Sequence, residues 1–118
     1  MLMKILQYST SSGREPVKEF IAELPVESRY EVLVLLKRLE AGEVVPMPHS
    51  RSIASIAQGL YELRVRDVQG HIRVFYDTKL QSVIYLVHAL RKKSRTIADK
   101  ERDLILKRIK ELNRIERK

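Results

Sequence analysis

The sequence predicts an α+β fold: an N-terminal strand and a helical hairpin packed on a small, mostly antiparallel sheet, followed by a C-terminal basic helix. Three observations carry this. Between Gly59 and Val87 apolar residues alternate with polar ones or run unbroken, as strands do. Between Glu15 and Gly42 they recur at i, i+3, i+4 and i+7, the spacing of a helix face. After Thr96 a helical apolar stripe is set among Lys and Arg.

The first element is a short strand over Leu2 to Tyr8, where two interleaved sets of residues alternate before the turn Ser9 to Gly13. A helix starts around Glu15 and Pro16, since proline suits a first turn and an acid there suits the helix dipole. Val17, Phe20, Ile21 and Leu24 form its apolar face, and it ends near Pro25. A second helix carries Val32, Leu35, Leu36 and Leu39 and stops at Gly42. So short a link makes the two an antiparallel hairpin that covers one sheet face. The Glu residues at 15, 19, 23, 27, 31 and 40 read as its solvated side rather than as acid catalysts.

Residues 43–58 form a long connection containing VPMPHSRSI. Its two prolines stiffen the path and hold His49 and Arg51 where they reach the edge of the site, unless the segment is an ordinary surface loop.

Gly59 to Arg66 sets Tyr61, Leu63 and Val65 against Glu62, Arg64 and Arg66. After the turn Asp67 to Gly70, Ile72, Val74 and Tyr76 alternate with Arg73, Phe75 and Asp77. If the apolar sides share a core, Arg64, Arg66 and Arg73 share the other face. Ser82 to Val87 is apolar on both sides and so reads as a central strand ending at His88, with Arg91, Lys92, Lys93 and Arg95 in a loop beyond it. The last helix, from Thr96, buries Ile105, Ile109 and Leu112 along one side.

Composition bounds the partners. At 118 residues the chain makes one domain, residues 1–118. It has no cysteine, which removes disulfides, thiolate zinc sites and cysteine nucleophiles, and its three His are scattered; no metal or cofactor is expected. There is no long apolar run and no leader pattern, so a cytoplasmic protein is expected. The net charge is +8 and is uneven: residues 1–87 carry 11 Lys/Arg against 10 Asp/Glu, and residues 88–118 carry 12 against 5. Such asymmetry favours a polyanion, nucleic acid first. A membrane fits less well, because the final helix lacks bulky aromatic residues.

Guanidinium groups held side by side on one sheet face repel one another, and their forked donors match phosphate oxygens, so the arginine cluster points to an anionic ligand. The plainer alternative is a solvated open face with Glu62 or Asp77 as partners. His88 is either a satisfied histidine or an acid–base group beside a basic loop.

The order strand, helix, helix, three strands, helix resembles the RelE/ParE toxin superfamily. GLYELRVRDVQGHIRVFY followed by IYLVHALRKKSR, with VPMPHSRSI before it, is similar to the phage-associated HigB-like branch of type II toxin–antitoxin systems. The resemblance implies a RelE-like fold and a metal-independent endoribonuclease, an mRNA interferase that cuts message at the ribosome. It implies as partners mRNA, the ribosome and a cognate helix-turn-helix antitoxin, in a possible higher-order complex. It makes Arg73 the residue for the scissile phosphate, with Arg64 and Arg66 positioning the backbone. His88, Lys92, Lys93 or Tyr76 would supply acid–base chemistry, and Arg91, Arg95, His49 and Arg51 further RNA contacts. Glu62 stands where RelE has lysine, and no tyrosine follows Tyr85, so acid and base stay unassigned. A ParE-like inhibitor of DNA gyrase and a non-catalytic nucleic-acid-binding module fit the same basic surface.

Overall fold

The computed structural model describes residues 2–92, 94 and 96–116. Among them run β1 (Lys4–Gln7), α1 (Pro16–Ala22), α2 (Val26–Glu40), β2 (Ser50–Ser52), β3 (Leu60–Asp67), β4 (Gly70–Asp77), β5 (Val83–Lys92) and α3 (Asp99–Glu116). The five strands form one sheet in the order β1-β5-β4-β3-β2. β1 lies parallel to β5, and the other neighbours are antiparallel. The α+β architecture and the C-terminal helix are as the periodicities predict.

Local chemistry sets the boundaries. Pro16 opens α1, where its missing N–H costs nothing. α2 ends in a Schellman motif: Glu43 N–H bonds Arg38 O at 3.0 Å and Gly42 N–H bonds Leu39 O at 3.0 Å. That geometry needs a left-handed residue, and Gly42 supplies it with φ 85°.

The sheet is covered on both faces. On one side, Val17 and Ile21 of α1 and Val32, Leu35 and Leu39 of α2 pack on Leu63, Val65, Ile72, Val74 and Tyr76. On the other, Ile105, Ile109 and Leu112 of α3 pack on Leu60, Phe75, Tyr85, Val87 and Leu90. Alternation in β3 and β4 therefore separates two cores, not a core from solvent. Phe75, expected on a polar face beside Arg73 and Asp77, is wholly buried for this reason.

Two expectations for the strands are corrected. The connection 43–58 contains β2, a three-residue edge strand paired with β3 from Ser50↔Leu63 to Ser52↔Tyr61. The strand expected to end at His88 continues to Lys92, so Arg91 and Lys92 are strand residues, not loop residues. Lys93 and Arg95, expected in the same loop, lie outside the described residues. β5 also holds a β-bulge: Phe75 pairs with His88 but Tyr76 pairs with Leu86. The extra residue, Val87, lets both Val87 and His88 face α3, where strict alternation would have turned His88 toward α1 and α2.

Candidate functional site: an arginine cleft on the sheet

Strand register assembles the site. The hairpin closes at Asp67↔Gly70, which sets Arg66 opposite His71, Arg64 opposite Arg73 and Glu62 opposite Phe75. On β5 the same rows continue to Lys92, Leu90 and His88, and on β2 Arg51 pairs with Glu62. Side chains directly opposite on neighbouring strands share a face, so these residues form one array on the α3 side.

Glu62 is its hub. The carboxylate is 1% exposed and lies 3.4 Å from Arg64 Nε, 3.6 Å from Arg51 Nε and 3.8 Å from Arg73 Nε. Among the described residues Glu62 Oε2, Arg64 Nε and Arg73 Nε are buried without a hydrogen-bond partner. Among the described residues three guanidinium groups thus share one carboxylate, an excess of two positive charges, with Arg64 and Arg73 largely buried and Arg51 45% exposed. Burial pushes the Arg73 guanidinium below its ordinary pKa, Glu62 opposes that, and Arg64 and Arg51 add to it. Arg73 is 2% exposed and donates to Ser94 O at 3.1 Å. It is therefore largely enclosed within the sheet face, where it pairs with Glu62 and is repelled by Arg64 and Arg51.

Arg64 also lines a cleft of about 340 Å³, together with Pro48, His49, Arg66 and His71. His49 is positioned by β2 and β3, since its carbonyl accepts Arg64 N–H at 2.8 Å. Lys92 of β5 pairs with His71 and so lies on the same sheet face. The cleft's two arginines are both on β3, and His49 and His71 also line it.

Other expected site residues lie elsewhere. His88 is locked against α3. Arg108 Nη1 donates to its Nδ1 at 3.2 Å and to Val87 O at 2.9 Å, while Nε2 meets Glu101 Oε2 at 2.5 Å. Because a guanidinium only donates, Nδ1 must accept, and the ring proton sits on Nε2 facing the carboxylate. Burial lowers the His88 pKa, Glu101 raises it, and Arg108 and Lys92 lower it further. Both ring nitrogens are engaged, and neither is directed at the cleft. Arg91 faces the opposite side of the sheet, where its guanidinium pairs with Asp67, which also accepts from Ser28 Oγ at 2.7 Å. It ties β5 to α2 and does not join the cleft. Tyr76 is on that opposite side too, stacked on Tyr61 and bonded to Ser50 Oγ at 2.7 Å, with burial raising its pKa.

Sequence reasoning missed His71 and the hub role of Glu62. The signal was present: His71 has the same strand parity as Arg73, and a turn over Asp67 to Gly70 sets Arg66 beside it. Glu101 and Arg108, which immobilise His88, follow from α3 crossing the sheet and had no local signature. Among the described residues no three His, Cys, Asp or Glu side chains gather as a metal site, and no helix is long and apolar enough to cross a membrane.

No curated protein matches this chain. Residues 19–110, which hold α2, all the strands of the cleft and most of α3, match the model of the family described as phage derived protein Gp49-like (DUF891), and the chain belongs to that family.

Proposed function

We propose that this protein is a toxin of the RelE/ParE superfamily, in its HigB-like branch, that acts as an endoribonuclease on messenger RNA at the ribosome. The observation that carries the reading is the charge imbalance at Glu62: three arginines on one buried carboxylate, one of which, Arg64, also lines an open cleft with Arg66 and two imidazoles. A phosphodiester is the ligand that such a cluster suits, because it brings the missing negative charge and accepts forked hydrogen bonds.

Arg64 and Arg66 lie two residues apart on one strand, about 7 Å along it, close to the spacing of successive phosphates in an extended strand. They hold the backbone in register. The pentavalent phosphate of cleavage carries more negative charge than the ground state, and the Arg64 guanidinium, largely buried and oriented by Glu62, favours it with little reorganisation. Lys92 and the basic side of α3, including Lys100 and Lys107, add sequence-independent attraction to ribosomal and messenger RNA. A protein partner such as a helix-turn-helix antitoxin is consistent with the exposed stripe Val26, Tyr30, Leu33 and Val34 on α2.

The test is cleavage in a reconstituted translation reaction, with primer extension to map the ends, using the wild type beside Arg64→Ala and Arg66→Ala. Cuts at ribosome-occupied codons that each substitution weakens at least tenfold are the expected result. Intact message with the wild-type protein, together with inhibition of DNA gyrase or plain RNA binding, would replace this reading.

A further inference from the structure

We infer that the outward face of α2 is a self-association surface, on which a second copy of this chain packs its own α2 antiparallel about a two-fold axis. The inference does not depend on the nuclease reading.

α2 is apolar on two opposite sides. At about 100° per residue, Val32, Leu35 and Leu39 point one way, into the core, and Val26, Tyr30, Leu33 and Val34 point the other. A helix that only covers a sheet needs one such stripe. The outer four are 71%, 69%, 46% and 39% exposed and contiguous, whereas large apolar residues on a monomer's surface are ordinarily scattered singly. Nor is the stripe flat: Tyr30, Leu33 and Val34 line a concavity of about 440 Å³ together with Lys37, Arg38 and Glu43. An apolar centre with a charged rim is the anatomy of a protein interface.

Charge selects the occupant. By the same helical spacing, one flank of the stripe carries Glu27 and Glu31 toward its N-terminal end and Arg38 toward its C-terminal end. The other flank carries Arg29 toward the N-terminal end and Glu40 toward the C-terminal end, so the signs are reversed. When two facing helices run antiparallel about a two-fold axis, each flank meets the same flank of the other copy, read in the opposite direction. On both flanks acid then falls toward base. With the axis level with Val32 and Leu33, at the middle of the helix, Glu27 stands opposite the other copy's Arg38, and Arg38 opposite its Glu27. The same axis sets Tyr30 of each copy at the level of Leu35 in the other, over the concavity between Leu33 and Arg38. Antiparallel packing also brings opposite ends of the helix dipoles together.

The charges have contacts within their own chain, and these leave room for the pairing. Arg38 Nε donates to Glu43 at 3.2 Å, Arg29 Nη1 to Ala22 O at 3.1 Å, and Lys37 Nζ to Glu40 at 3.4 Å. The ion pairs among them are exposed and individually weak, and a guanidinium has donors for a second carboxylate. The arginine array is on the other face of the sheet, so a dimer built this way leaves both clefts uncovered.

The experiment is sedimentation velocity of the full chain over about 1–200 µM, at low and high salt. It compares wild type, Leu33→Glu, Glu27→Lys, Arg38→Glu and the double variant Glu27→Lys/Arg38→Glu, with a thermal unfolding curve for each to show that it is folded. Wild type should form a dimer as its concentration rises, less readily in high salt. Leu33→Glu and each single charge reversal should raise the dimer Kd by about tenfold or more. The double variant restores the pair with its signs exchanged and should return to within a few-fold of wild type. Should a charged variant fail to fold, Tyr30→Ser tests the same stripe and should also weaken the dimer. A wild type that stays monomeric throughout would overturn the proposal and leave the stripe to a partner of another sequence. A dimer indifferent to Leu33→Glu and Tyr30→Ser, or a double variant no tighter than the single ones, would overturn it as well.

Discussion

Replacing Glu62 by Gln tests whether the arginine cluster is held short of negative charge. The side chain is nearly the same size, so the change removes charge and little packing. In the wild type three guanidinium groups lie within 3.8 Å of the carboxylate, and Arg73 is 2% exposed with little access to solvent. Breaking a buried pair by removing one partner costs about 3–5 kcal/mol. Arg51 is 45% exposed and relaxes into water, which places the expected loss near the lower end, about 3 kcal/mol. For a chain of this length that is a fall in Tm of roughly 10–15 °C. The informative part is the response to anions. A phosphate or sulfate that occupies the cleft at about 100 times its Kd adds about 2.7 kcal/mol to the folded state. Thermal unfolding followed by circular dichroism, at fixed ionic strength with chloride exchanged for sulfate, should show Glu62→Gln regaining most of its lost Tm, and the wild type gaining much less. A variant as stable as wild type in chloride, or equal sulfate gains in both proteins, would refute the reasoning.

Other expectations follow from the same structure. Asp67 is held down to about 2 by Arg91, with Ser28 and the Gln69 N–H also favouring its charged form. A carboxylate depressed on folding contributes stability that is complete above about pH 3.8 and disappears as pH falls toward 2; Arg91→Ala should remove on the order of 1–2 kcal/mol at neutral pH and flatten that acid limb in urea titrations. The His88 pKa is also lowered, here chiefly because burial disfavours its charged form. The unfolded chain then binds the proton more readily, so stability should fall as pH drops below about 6.5, and His88→Asn should reduce that slope in the same titrations. Gly59 has φ 83°, and a Cβ there would lie 2.9 Å from Lys79 Cγ; Gly59→Ala should cost about 1–2 kcal/mol in equilibrium unfolding.

Much of this molecule was readable from residue pattern. The helix faces of Val17 to Leu24 and Val32 to Leu39, and the alternation of Tyr61, Leu63 and Val65, are local periodicities with a single physical cause, burial of one side. The arginines were legible as a cluster for the same reason. What pattern could not supply was the second layer. Alternation says which residues share a face, but not whether that face meets water, and α3 covers part of it. This is why Phe75 and Arg73 are buried while Arg64 and Arg66 border a cleft. The bulge at Val87 is a tertiary adjustment that moves His88 to α3 with no mark in the sequence around it. β2 is short and follows a proline-stiffened path, so it carries no alternation long enough to read. His71 was the avoidable omission, since parity with Arg73 was visible across three residues.

The central claim is that RNA lies along Arg64 and Arg66 in the cleft that His49 and His71 also line. The most direct measurement is a titration of the isotope-labelled protein with a short single-stranded RNA made uncleavable by 2′-O-methylation, following backbone amide and arginine Nε resonances by NMR. The account predicts the largest shifts at His49, Arg51, Arg64, Arg66 and His71, smaller ones along Lys92 and α3, and little change at Arg91 or Tyr76. Shifts confined to α3, or centred on the α1 and α2 side of the sheet, would contradict it.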